Sequence, residues 1–175
     1  LNFSEIDVDR VGHEILDDVG VKRELHRRFG EVIFNCEGTV DRRVLGQRVF
    51  RDPRELRALE AIVHPPMAAE VEKILRRLEG QVVINAAVLF RMGLERLCDA
   101  VVCVRAPLLQ RLKRARRRDG LGLIQLMRRM LAQRGICPKL NANAVDIYYV
   151  DNDRGLDHLQ TQILTILREK GQENR

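Results

Sequence analysis

The sequence has no tryptophan, and aromatic residues make up only 4% of its 175 positions. A chain so poor in rings lacks the stacking platforms on which single-stranded nucleic acid is held. No apolar run approaches the roughly 18 residues that a membrane-spanning helix needs. The opening Leu1-Asn2-Phe3-Ser4-Glu5-Ile6-Asp7 carries neither a basic nor an apolar leader, so a cytoplasmic protein is expected. The four cysteines, Cys36, Cys98, Cys103 and Cys137, include no C-x-x-C pair, and His13, His26, His64 and His158 stand singly. This pattern suggests neither a zinc site nor a disulfide framework, and the thiols read as buried or idle. None of the 12 glycines is followed by lysine. The Gly-x-x-x-x-Gly-Lys-Ser/Thr loop, whose backbone amides cradle nucleotide phosphates, is therefore not in this sequence.

What is present is enough for one domain, since a chain of this length buries roughly 70% of the surface its unfolded form exposes. With 45% hydrophobic and 32% charged residues and only 5 prolines, the composition is that of an α/β or mostly helical protein. The net charge of +6 is uneven. Between Arg105 and Lys139, nine arginines and two lysines face Asp119 alone, which puts +10 in that stretch and leaves −4 for the rest. A concentrated arginine field implies a polyanionic partner, either nucleic acid or nucleotide phosphates.

Phe3 to Asp9 alternates apolar and polar residues like a short strand ending in carboxylates, after which Asp9 can cap a helix bearing Val11, Ile15 and Leu16. A helix over Val21 to Phe29 should stop at Gly30, and a turn at Glu37-Gly38 should lead to a helical face of Val44, Leu45 and Val49. Asp52-Pro53 pairs a cap with proline at the first helical position. His64-Pro65 is expected to break the helix that follows, with helix resuming from about Met67 to Leu78. Gln81 to Phe90 and Ala100 to Val104 read as strands covered on both faces, and Ile147 to Val150 as a third of the same kind. Pro107 opens a helix over Leu108 to Arg118; a further helix over Leu123 to Gln133, an irregular stretch from Gly135 to Ala144 and a last helix over Leu156 to Leu167 complete the pattern. Strands separated by helices imply a parallel sheet with right-handed crossovers.

Several short motifs occur in one order. They are Ile6-Asp7-Val8-Asp9, Arg28-Phe29-Gly30, Gly38-Thr39-Val40-Asp41-Arg42, Val49-Phe50 with Leu59-Glu60-Ala61-Ile62-Val63-His64-Pro65, Arg114 with Arg118-Asp119-Gly120-Leu121, Arg129 with Gln133, and Val150-Asp151-Asn152. Each alone is common, but the ordered set resembles the dephospho-CoA kinase family over essentially the whole chain. The resemblance implies a parallel-sheet core of the phosphate-loop NTPase, nucleoside-monophosphate-kinase-like kind, over residues 1–29, 80–118 and 144–175. It adds a helical substrate subdomain over about 30–79 and a lid over about 119–143. It also implies ATP and Mg²⁺, with no protein ligand for the metal identifiable, and transfer of phosphate to the ribose 3′-hydroxyl of dephospho-CoA. The family's first strand and phosphate loop, roughly 25 residues in a βαβ unit, would then precede residue 1, and truncation is the simplest account of their absence.

On the resemblance, Asp9 is the candidate base, a carboxylate at a strand's C-terminal end where open α/β sheets bind ligands. Capping a helix is the commoner work for such a residue, and the two roles can coexist. Asp7 is expected to support Asp9 or to hold a Mg²⁺-bound water. Arg42 is placed to fork onto a phosphate of the acceptor or to lie solvated, and His64 to touch the acceptor or to stabilise a turn. Arg114 and Arg118, four apart on one helix face, and Arg129 are the lid cations. Arg116 and Arg117 point elsewhere. Asn152 is either an adenine ligand or an ordinary turn residue. The chain departs from the family pattern at Ala87 and Arg91, where proline and glutamate are usual, and at Arg111, where glutamine is. Two other readings remain: an inactive homologue that still binds dephospho-CoA, and a basic nucleic-acid-binding module.

Overall fold

A computed structural model of the chain describes residues 3–119 and 145–173, which fall into two compact units, Leu1–Leu97 and Cys98–Arg175. In the first, strand β1 (Ser4–Asp7) runs straight into helix α1 (Val8–Ile15), followed by α2 (Val19–Phe29), α3 (Arg42–Val49), the long α4 (Pro53–Leu75) and strand β2 (Val82–Asn85). β1 and β2 are parallel neighbours with Ser4 opposite Val82 and Asp7 opposite Asn85. A parallel pair needs a long crossover, and the helices supply it.

The first unit's core follows from helical spacing. α2 buries Val21, Leu25 and Phe29, each four residues from the last, so they form one stripe. Asp18 starts this helix by accepting from the Val21 amide at 2.9 Å, and Gly30 ends it at φ 75°, a conformation that costs glycine nothing. Asn35 Oδ1 accepts from the amides of Glu37 and Thr39, bending the chain where Gly38 takes φ 71°. α1, α2 and α3 all pack on α4, through Val63, Met67 and Val71 on its buried side.

One ion-pair knot ties three of these helices. Glu55 of α4 accepts from Arg28 at 2.7 Å and from Arg48 at 3.1 Å, and Arg48 also donates to the Phe29 carbonyl at 2.8 Å. Both guanidinium groups lie over the Phe29 ring, 5.1 and 5.3 Å from its centroid. The hydrogen bond from Arg28 holds the Glu55 carboxyl below its usual value, and the charges of the two arginines add to it against partial burial.

Three expectations from the sequence need correction here. The His64-Pro65 pair does not break the helix: α4 is continuous through Pro65 and Pro66. Two prolines remove the helical donors for the carbonyls four residues earlier, yet packing of α1, α2 and α3 along α4 outweighs that local loss. The apolar run from Gln81 to Phe90 is a strand only over Val82–Asn85 and then turns through the short 3₁₀ segment Leu89–Arg91. The expected cover on both faces is also not met at Val83, which is 44% exposed among the described residues.

The second unit contains β3 (Ala100–Arg105), α5 (Leu108–Asp119), β4 (Asp146–Asp151) and α6 (Leu156–Glu173). β3 and β4 are parallel, Ala100 opposite Asp146 and Arg105 opposite Asp151. Val101, Cys103 and Val150 are buried, while Val102 and Val104 on the other face of β3 are 40% and 55% exposed. α6 is fastened along β4 by Lys170, which pairs with Asp146 at the strand's start, and by Gln162, which meets Asp151 at its end.

Candidate functional site

The C-terminal ends of β1 and β2 place Asp7 beside Asn85. Asp7, not Asp9, is the cap of α1: its Oδ1 accepts from the amides of Asp9 at 3.0 Å and Arg10 at 3.2 Å. Asp9 instead sits in the first turn of α1, exposed, with no hydrogen bond to its carboxylate among the described residues. The capping alternative for Asp9 therefore falls away.

Arg42 opens α3, exposed and without a hydrogen-bond or ion-pair partner among the described residues, while Asp41 caps the helix through the amides of Arg43 and Val44. His64, partly buried, lies in an open groove of about 430 Å³ with Pro65, Ala68, Ala69, Glu72, Arg91, Met92 and Arg96. Desolvation lowers its pKa from the ordinary 6.5; Glu60 pulls the other way and Arg91 adds to the lowering. Arg91, the departure from the family's glutamate, pairs with Glu60 at 3.0 Å, and Arg96 pairs with Glu72. Glu60 and His64 are four apart on α4, so they share a face. The sequence reading overlooked this cluster because it stopped the helix at His64.

In the second unit, Arg114 of α5 donates to Gln110 Oε1 and to the Asn152 carbonyl, both at 3.3 Å. Gln110 donates to the Asp153 carbonyl at 3.3 Å, and the Asn152 amide donates to Arg105 at 2.7 Å, so α5 and β3 together hold the loop that leaves β4. The Arg105 guanidinium stacks 3.6 Å from the centroid of the Tyr149 ring. Arg118 lies on α5 one turn beyond Arg114, as its spacing required. Arg111 is exposed on the same helix. Arg129 lies outside the described residues, as do all of residues 120–144, which include the expected lid beyond Asp119. Gln110 and Gln162 carried no signal in the sequence, because a glutamine on a helix becomes informative only when its backbone partner is known.

Short parallel strands that end in a carboxylate or a polar exit loop, joined by crossover helices, define an α/β fold of the nucleotide-kinase class. The family model for dephospho-CoA kinase matches residues 1–158. The chain belongs to the dephospho-CoA kinase family. It is 38% identical over 105 residues to the dephospho-CoA kinase of Borreliella burgdorferi, a match covering 59% of this chain and half of that protein's length. With the Thermus thermophilus dephospho-CoA kinase it shares 33% identity over 149 residues, 85% of this chain and 71% of the relative. A solved Thermus thermophilus structure superposes with a TM-score of 0.74 at 30% identity, covering 96% of this chain and 85% of that one. No helix among the described residues is long and apolar enough to cross a membrane.

Proposed function

We propose that this chain transfers the terminal phosphoryl group of ATP to the ribose 3′-hydroxyl of dephospho-CoA, forming coenzyme A in the cytoplasm. The observation that carries the reading is the division of labour at the end of β1. Asp7 takes the helix cap, which leaves Asp9 as an exposed and uncommitted carboxylate where open parallel sheets receive their ligands. In this role Asp9 accepts the proton of the ribose hydroxyl as that oxygen attacks phosphorus. Arg42 and His64, both carried by the helical segment 30–79, bind the acceptor. Arg114, Arg118 and Arg129 neutralise charge on the transferring phosphoryl, and Asn152 recognises the adenine.

Phosphoryl transfer calls for a divalent ion. The second oxygen of Asp7, which has no hydrogen bond among the described residues, is a hard oxygen acceptor of the type that holds a Mg²⁺-bound water. Such an ion supplies charge neutralisation to the phosphates.

The test is ATP-dependent formation of coenzyme A from dephospho-CoA. It is run on this chain and on a form extended at its N-terminus by a strand and Gly-x-x-x-x-Gly-Lys-Ser/Thr loop. Asp9→Asn should lower kcat by about 10²- to 10⁴-fold, the usual contribution of a general base, and leave ATP affinity nearly unchanged. Equal losses in both would assign Asp9 a structural part, and a well-folded extended protein without activity would remove the proposal.

A further inference from the structure

The loop that leaves β4 is held to an unusual degree. In a strand, one residue's N–H and C=O point to the same edge and the next residue's point to the other. Asn152 faces β3, where its amide donates to the Arg105 carbonyl at 2.7 Å. Asp151 faces the opposite edge, and among the described residues β4 has no second strand there. Gln162 of α6 takes that place. Its Oε1 accepts from the Asp151 amide and its Nε2 donates to the Asp151 carbonyl, both at 3.0 Å. One primary amide thus reproduces both hydrogen bonds of a neighbouring strand. Arg114 meets the Asn152 carbonyl and Gln110 the Asp153 carbonyl, each at 3.3 Å. Gly155, at φ 100°, then turns the chain into α6. Every one of these groups fixes main chain, while the side-chain amide of Asn152 has no partner among the described residues.

We propose that Gln162 is a positioning residue for nucleotide recognition: by completing the edge of β4 at Asp151 it sets the direction in which Asn152 presents its amide to the adenine. The inference rests on the assignment of Asn152 to the nucleotide base. Its physical content is preorganisation. A hydrogen bond made from a fixed amide needs no ordering of the loop when ligand binds, whereas one made from a loose loop does. Gln162 never touches the ligand; it acts through one peptide unit.

The test is calorimetric titration with ATP and with GTP of the form extended by the N-terminal strand and phosphate loop, alongside amide hydrogen exchange at Asp151. Gln162→Met removes both hydrogen bonds at nearly constant volume, and Gln162→Glu keeps an oxygen for the Asp151 amide while losing the donor. Gln162→Met should weaken ATP binding about tenfold, the scale of one well-placed hydrogen bond, shrink the preference for ATP over GTP, and speed Asp151 exchange at least tenfold. Gln162→Glu should fall between it and the parent, and carries the test if the Met variant does not fold. In an Asn152→Ala background, Gln162→Met should cost no further ATP affinity, because the two act as one unit. Faster exchange with an unchanged ATP-to-GTP ratio would overturn the inference and leave Gln162 a purely structural residue. An Asn152→Ala variant that keeps the parent's ATP-to-GTP ratio would overturn the adenine assignment itself.

Discussion

Neighbouring residues of the same type do different work here because of where the strand stops. Had β1 run two residues further, Asp9 would have been the cap and Asp7 a strand residue; ending at Asp7 reverses them. His64 shows a similar dependence on surroundings. Desolvation lowers its folded-state pKa below the unfolded value near 6.5, so the unfolded chain binds the extra proton over the interval between the two. The stability that neutral His64 provides is therefore complete above pH 6.5 and drains away as pH falls through the depressed value. Comparing urea midpoints at pH 7.5 and pH 5.5 should show a larger drop for the parent than for His64→Gln. The double difference cancels the titration of Glu55 and other shared carboxylates. An equal drop in both proteins would mean that the folded groove protonates His64 as readily as water does.

At the scale of elements, the helix ends at Asp52-Pro53 and Gly30 were legible, while the cap of α1 and the continuity of α4 were not. Caps and stops are local chemistry: Asp52-Pro53 and Gly30 work through their own backbone torsions and hydrogen bonds, so the chain announces them within a few residues. The persistence of α4 through Pro65 and Pro66 is decided by three helices that pack on it from distant sequence, and no local window contains that information. The same reason hid the groove, whose walls come from α4 and the Arg91–Arg96 segment. The prolines still carry a cost. Alanine at 65 restores an amide for the Ala61 carbonyl and gains about 3 kcal/mol in helix propensity, offset by about 1 kcal/mol because proline stiffens the unfolded chain. Pro65→Ala should therefore raise unfolding free energy by about 2 kcal/mol in urea titration. A loss instead would show that the proline ring, exposed at the groove, packs against something more valuable than a hydrogen bond.

At the scale of the whole molecule, the sequence motifs placed the carboxylate pair and the β4 exit loop because both lie where a strand ends. They misjudged how well the strands are covered. Runs such as Val101-Val102-Cys103-Val104 suggested burial on both faces, yet hydrophobicity records what a strand can tolerate and not which neighbours it has. β3 buries Val101 and Cys103, while Val102 and Val104 stand 40% and 55% exposed. Parallel sheets normally have both faces covered, and valines half exposed along one strand are adhesive. The chain should therefore self-associate reversibly as its concentration rises, seen as a growing weight-average mass in sedimentation equilibrium. Val104→Lys places a charge on that face and should weaken association at least tenfold. Its unfolding free energy should move by no more than about 0.5 kcal/mol, as for other substitutions at open positions. A large loss of stability with unchanged sedimentation would show instead that this face of β3 is covered within one molecule in solution, and that the exposed valines are part of its core.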